Sequence, residues 1–217
     1  MTREGLIRKV ALKMDEISSS DEYIALVVGP EDNNPLHVQI SCLLNESVNE
    51  VLMKAALSRI QDHIVSISSS RPINIFNHSR HAAIIDVPAD FLRFVSISDP
   101  VFQRPITNLA IEGDDIDKIQ HNKFLVAKRA KPVAVIGNIS GRGRVITCYS
   151  YDEADSPNPT MHYVARYDKG TDMLEEVGLD DYLIDIVSWV CAGKVFAVQG
   201  DIEKGKMCDA NAVALMV

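Results

Sequence analysis

The sequence predicts an α+β protein in which N- and C-terminal helices form a helical bundle with an inserted antiparallel β-sandwich or small barrel. Two observations carry that expectation. Apolar residues recur at helical spacing in the first third of the chain and again in its last fifty residues. Between them, six short β-rich runs are bounded by Pro, Gly, Asn or Asp: AAIIDV, FLRFVSI, QRPITNLAI, KPVAVIGNI, RVITCYSY and TMHYVARY. Helices at both ends with apolar faces too wide for water must share a core, so residues 1–70 and 176–217 are expected to form the helical domain and 71–175 the inserted β domain.

The first element, Glu4 to Asp15, places Leu6, Ile7, Val10, Leu12 and Met14 close to one helical stripe and stops at ISSSDE. YIALVV (23–28) reads as a strand or a buried turn of helix, and GPEDNNP as a loop. From Leu36 to about Ile67 the helical pattern resumes. Leu44, Val48, Val51 or Leu52, Ala55, Ile60 and Ile64 share one face, and Glu46, Asn49, Glu50, Lys54 and Asp62 the other. In the β-rich third, Pro88-Ala89-Asp90 splits two strand-like runs; Phe91, Leu92 and Phe94 are expected in the core, with Asp90 and Arg93 available for pairing. Asp114 or Asp115 can cap a short helix inside EGDDIDKIQHNKFL. ISGRGRVI reads as a hairpin turn in which Gly141 and Gly143 take positive φ. In the last fifty residues Gly178 precedes an Asp180 cap, Ile184, Val187, Cys191, Val195 and Val198 follow at spacings of three and four, Gly200 fits a C-cap, and Asp201 starts another helix.

Composition bounds the function classes. The chain has 217 residues, 47% of them apolar and 24% charged, enough to bury a good core. A formal net charge of −8 argues against a free nucleic-acid binder, which ordinarily carries a basic excess. The start has no apolar stretch of signal-peptide length, and YLIDIVSWVCAGKVFAV (182–198), with Asp185 and Lys194 inside it, reads as a buried core helix rather than a membrane span. Cys42, Cys148, Cys191 and Cys208 lie far apart, without C-x-x-C, and are expected as reduced, packed thiols. His78 and His81, at i and i+3, fall in what reads as a surface loop.

No metal, cofactor-binding or catalytic set is expected: no G-x-S-x-G or H-E-x-x-H occurs, GNISGRGR is followed by a strand instead of the helix a phosphate cradle needs, and the pairs Asp114-Asp115 and Asp180-Asp181 sit at helix caps. Charge segregation is the more informative pattern. Lys118, Lys123, Lys128, Arg129, Lys131, Arg142 and Arg144 fall in a stretch free of acids, whereas Asp152 to Asp181 holds nine acids, among them Asp168, Asp172, Glu175 and Glu176, against Arg166 and Lys169. Such blocks are either solvated faces or self-complementary surfaces, a basic face on one copy meeting an acidic face on the next. With Asp90 and Arg93 they are the candidate subunit, partner or DNA-channel residues.

DVPADFLRFVSI followed by RPITNLAIEGDD, then TMHYVARY and the helix pair DYLIDIVSWVCAGKVFAVQGD and EKGKMCDANAVALM, resembles the head-to-tail adaptors of short-tailed bacteriophages: the tail tubular protein A type and, closest, the ring proteins of crAss-like phages. CLLNESVNEVLMKAALSRI is similar to that family's long early helix. The resemblance implies a non-enzymatic structural virion protein at the capsid–tail junction, assembled in the host cytoplasm. It implies a homo-oligomeric ring of about twelve copies beneath the portal. Its implied partners are other copies of itself, the portal protein, the next tail ring or tail hub protein and genomic DNA passing through the lumen during ejection, with no cofactor and no membrane. The rival readings are an accessory nucleic-acid-binding module using Lys118 to Arg144, and an enzyme of unrecognised type.

Overall fold

The computed structural model describes residues 1–17, 35–68, 70–75, 80–122, 124–152, 154–170 and 172–216. The expected strand at 23–28 and nearly all of the loop at 29–35 lie outside the described residues, as do His78 and Lys123. The described chain is mixed α+β, with five α-helices and two sheets. The helices are α1 (Arg3–Ile17), α2 (Pro35–Lys54), α3 (Asp115–Gln120), α4 (Asp181–Gln199) and α5 (Ile202–Met216). The strands are β1 (Ile64–Ile67), β2 (Arg71–Ile75), β3 (Arg80–Asp86), β4 (Phe91–Ser98), β5 (Leu109–Ile111), β6 (Ala134–Ile139), β7 (Gly143–Asp152) and β8 (Thr160–Ala165). Two compact units result: Met1–Arg59 with Tyr167–Val217, and Ile60–Arg166. Both boundaries fall about ten residues earlier than the expected 71 and 175, the first because Ile64–Ile67 is not the end of a helix. It is strand β1, paired antiparallel with β8, Ile64 opposite Val164. The helix that began at Pro35 ends at Lys54, and two 3₁₀ turns intervene.

In the helical unit, α4 is buried over most of its circumference, from Leu183 to Phe196, with Asp185 and Lys194 reaching ion-pair partners at the surface, which suits a helix at the centre of a core. It packs against α1, α2 and α5. Leu6, Ile7, Val10 and Met14 of α1 and Leu36, Ile40, Leu44, Val48, Val51 and Leu52 of α2 are buried. Leu12 is exposed, against expectation, because it lies about 120° around the helix from Leu6 and about 160° from Val10. α4 begins as its cap chemistry dictates, with Leu183 N–H donating to Asp180 Oδ1 at 2.7 Å, and ends at Gly200 with φ 86°. α5 crosses α4 where Gly193 meets Gly205: a Cβ on Gly193 would stand 3.3 Å from both the Gly205 carbonyl and Cys208 Cβ. α2's polar face receives the returning chain. Asn49 accepts the Tyr167 N–H at 2.7 Å and donates to the Tyr167 carbonyl at 2.9 Å, and Asn45 donates to the Lys169 carbonyl. This bidentate clamp is why the helical unit resumes at Tyr167. Three cysteines are buried thiols, but Cys42, expected to be packed, is exposed on α2 because it lies about 160° around that helix from the buried Ile40 and Leu44.

In the β unit the sheets run β1-β8-β4 and β2-β3-β7-β6-β5, antiparallel throughout except β5 beside β6. Both contribute to one buried cluster that includes Ala83, Ile85, Ile97, Ala134, Ile146, Cys148, Tyr151, Met161 and Tyr163, while Ala82, Ala110, Val126, Val135 and Tyr149 form a smaller cluster. β-Bulges decide which side chains reach the main cluster. In β4 the register shifts twice, between Phe91 and Arg93 and between Phe94 and Ser96. Phe91, Phe94 and Ile97 therefore all pack on the core at a spacing of three, and Leu92, expected there, does not join them. In β7 the shift falls opposite His81/Ala83, with Ser150 at φ 98°, so that Tyr151 follows Cys148 into the core. His81, expected in a loop, sits in β3 opposite Asn74 and Tyr151. Of QRPITNLAI only Leu109–Ile111 is a strand, with Ile106 bridging to Ile97. The hairpin between β6 and β7 turns through Gly141 (φ 79°) and Gly143 (φ 83°). Asp99, buried, joins three segments by accepting from Tyr151 Oη at 3.0 Å, Asn158 N–H at 2.9 Å and Val101 N–H at 2.9 Å.

Candidate interaction surfaces

Charge is divided between the two units. The helical unit carries ten Lys and Arg against nineteen Asp and Glu, a net of −9; the β unit carries twelve against eleven, a net of +1. All the described members of the basic block lie in the β unit, and they differ in availability. Arg129 is neutralised within the unit, at 2.6 Å from Asp155 and 3.3 Å from Asp152, so two of the acidic block's residues pair with the basic block of their own chain. Lys118 pairs with Asp115 one turn away on α3. The guanidinium of Arg144 lies 6.0 Å from the centre of the Phe91 ring, a cation–π contact. Lys128 and Lys131 flank a tight turn closed by Lys131 N–H to the Lys128 carbonyl, and Arg142 sits between the two turn glycines; all three are exposed and form no ion pair among the described residues. Of the described basic block, Arg129 and Lys118 are thus engaged in ion pairs and Arg144 with an aromatic ring, whereas Lys128, Lys131 and Arg142 are open.

Asp90 accepts from the Tyr163 hydroxyl at 3.1 and 3.3 Å, and its carbonyl accepts the Arg166 N–H. Arg93 is half-buried on β4 in register with Val164. The remaining acids belong to the helical unit. Asp168 is exposed just past the Asn49 clamp. Asp172, Glu175 and Glu176 form an ordered turn: Asp172 Oδ1 accepts the Leu174 N–H at 3.0 Å, and Lys169 pairs with Glu175 at 3.2 Å. The turn also serves the N-terminus of α1, whose Arg3 and Glu4 N–H groups donate to the Glu175 and Met173 carbonyls at 2.9 and 3.0 Å. Acids beside that helix end favour its dipole.

Two features escaped the reading of charge. The β5–α3 segment exposes Ile111, Ile116, Ile119, Phe124 and Leu125 within fifteen residues, Phe124 and Leu125 at 79% and 61%. Beside it runs an open groove of about 360 Å³ lined by Arg104, Pro105, Leu109, Ile116, Pro132 and Val133 among others. In the helical unit, Leu174 stands 76% exposed among the acids of its turn. The apolar residues of IEGDDIDKIQHNKFL were visible in the sequence, but a six-residue helix does not reveal from its sequence which side meets the sheet.

A smaller pocket of about 100 Å³ is lined by Glu112, Asp117, His121, Thr147 and Tyr149, with neighbours. Its carboxylates serve the backbone. Asp117, buried, accepts the Gly113 N–H at 2.9 Å, and Glu112 accepts the Asn138 N–H at 3.0 Å, its carboxylate lying where a side chain at Gly137 would be. Burial, with Asp117 and Glu112 adding, raises the Tyr149 hydroxyl above its ordinary pKa. That holds Tyr149 as a neutral phenol beside two acids that brace turns. The cap at Asp114 works differently from expectation: its carboxylate accepts the Ile111 N–H, before the helix, at 3.2 Å. Among the described residues no group of three His, Cys, Asp or Glu is placed to hold a metal, and no helix is long and apolar enough to cross a membrane. The sequence matches no known family's model and no curated protein.

Proposed function

We propose that the chain is a structural subunit of a virion, forming a ring of about twelve copies beneath the portal that connects the capsid to the tail and extends the DNA channel. In this reading its helices make a bundle and its β unit is an inserted sandwich or small barrel. The observation that supports it most is the uncovered apolar surface of the β5–α3 segment, five large side chains beside an open groove with cations at hand. Contiguous exposed apolar surface in a globular protein marks a place where another macromolecule sits. Groups arranged for docking, in a chain whose carboxylates brace turns and cap helices, fit a subunit better than a catalyst. The cations suit protein contact better than a DNA grip, since Arg129 and Lys118 are already paired.

The test is the composition of purified tailed particles. The subunit is expected there in fixed proportion to the portal protein, and as a ring under the portal in a cryo-EM reconstruction. Particles that eject DNA normally and lack the chain would overturn the proposal. A monomer that retards labelled DNA at physiological salt would replace it with the nucleic-acid-binding reading.

A further inference from the structure

We propose that the Asp172–Glu176 turn of one copy inserts Leu174 into the groove bordered by Arg104, Ile116 and Pro132 on the β unit of a second copy. This rests on the reading of the chain as a self-assembling subunit and gives that assembly a specific contact. The knob is presented rigidly. Leu174 is held by its own N–H on Asp172 Oδ1, and the turn is tied to the start of α1 through the carbonyls of Met173 and Glu175. An apolar residue fixed in its bound geometry loses little entropy on docking. The groove, at about 360 Å³, has room for a leucyl side chain; Pro105, Leu109, Ile116, Pro132 and Val133 give it apolar wall, beside the polar Thr107 and Asn108.

Charge selects the occupant. Around the knob stand Asp172 and Glu176, on a unit of net charge −9. Arg104 lines the groove, Lys131 adjoins its Pro132 wall and Lys128 closes the same turn; none of the three has an ion pair among the described residues. An acid-flanked leucine resting on the apolar wall of a cation-flanked groove satisfies both surfaces, and both belong to this chain, so a second copy supplies what each lacks. The apolar centre carries affinity while the exposed rim charges orient the approach. Ile111, Ile119 and Leu125 extend the apolar surface of the segment that carries Ile116. Because knob and groove are different surfaces, the contact is head-to-tail and either closes into a ring or runs on as a filament.

Sedimentation velocity of the full chain over a concentration series, at low and high salt, tests the contact. The wild-type protein is expected to associate, less so at high salt. Leu174→Asp should weaken association about tenfold or more, and so should Arg104→Glu with Lys131→Glu. Each variant should keep the wild-type circular dichroism and melting temperature, since all three side chains are exposed. Mixing the Arg104→Glu/Lys131→Glu protein with Glu176→Lys should recover association that neither shows alone. Leu174→Asp associating like wild type, or a wild-type chain monomeric up to about 1 mM, would overturn the proposal. So would a monomeric wild type that still binds tailed particles through Leu174, because the occupant would then be another protein. The adaptor reading is judged separately by particle composition: an association that depends on Leu174, in a protein missing from particles, would sink that reading and leave this contact standing.

Discussion

The two units solve the same packing problem with opposite chemistry. In the helical unit, order comes from a central helix, α4, and the buried polar side chains Arg3, Ser47 and Ser188 are donors that return to helix carbonyls, of Ser41, Leu43 and Ile184, while Lys194 pairs with Glu46 and Glu50 at the margin. In the β unit a polar group sits in the core itself, where Asp99 holds Tyr151 and two backbone N–H groups. A helix satisfies its own backbone, so its neighbours need only shape. Loops that cross a sheet's edge bring unpaired N–H groups inside, and something ionised or hydroxylic must receive them. Removing an apolar side chain should therefore hurt the helical unit most, and removing one carboxylate should hurt the β unit out of proportion to its size.

The largest effect should come from Phe196→Ala, which empties a fully buried ring site on α4 and should cost about 3–5 kcal/mol in chemical denaturation. A loss below about 1 kcal/mol would mean that α4 is not the organising helix. Next, Asp99→Ala leaves three donors without an acceptor and should cost about 2–3 kcal/mol. If Asp99→Ala were harmless, the contrast between the units would collapse.

Lys194→Met probes the margin of the helical unit, where the ammonium pairs with Glu46 and with Glu50 at 2.9 Å; the expected cost is about 1 kcal/mol or less. Burial would by itself raise Glu50's pKa, but hydrogen bonds from Lys54 and Lys194 outweigh it and hold the carboxyl below its ordinary value. A depressed carboxyl contributes stability above its unfolded pKa of about 4.3, and that contribution fades as pH falls through the folded value. Wild type and Lys194→Met should thus differ at pH 6 and converge on acidification. A gap that widened toward low pH would contradict the assignment.

Thiol labelling then separates the units without perturbing them. Cys42, exposed, should react at once. Burial raises the Cys191 thiol to about 12, against partial relief from Ser47, and raises Cys208 to about 12 with help from Asp209; the Cys148 thiol also sits above its ordinary value through burial and Asp99. These three should react only as their own unit opens. Phe196→Ala should speed labelling of Cys191 and Cys208, and Asp99→Ala that of Cys148. Parallel acceleration of all three in both variants would show one cooperative body instead of two.

What could be read from the sequence follows from how local each signal is. Gly178, Asp180, Gly200, Gly141 and Gly143 announce caps and turns because a single residue's conformational freedom or side-chain oxygen does the work. The strand β1 was hidden because Ile60 and Ile64 continue the spacing of α2, and only pairing with β8, about a hundred residues away, makes that stretch extended. The cores of β4 and β7 were blurred by bulges, which change a spacing of two into one of three. For the interaction surface, the cations could be listed but their state could not. That Arg129 is occupied and Lys131 open depends on where Asp152 and Asp155 arrive in space. Leu174 carries no pattern at all; its exposure is set by the turn that Asp172 closes.

The position of α4 has a consequence in time. It is the middle of its core yet follows the whole β unit in sequence, so during synthesis α1 and α2 emerge first and must wait for their main partner. The β unit, Ile60–Arg166, leaves the ribosome in the interval, which at roughly 5–20 residues per second lasts on the order of ten seconds. The β unit is therefore complete before the helical unit, whose two segments flank it in sequence. Nascent chains stalled so that residues up to about 175 have cleared the ribosome should already protect Cys148, while α1 and α2 still bind a hydrophobic dye. The helical unit's apolar faces are thus the part of the molecule most dependent on a chaperone, for as long as the last fifty residues are missing.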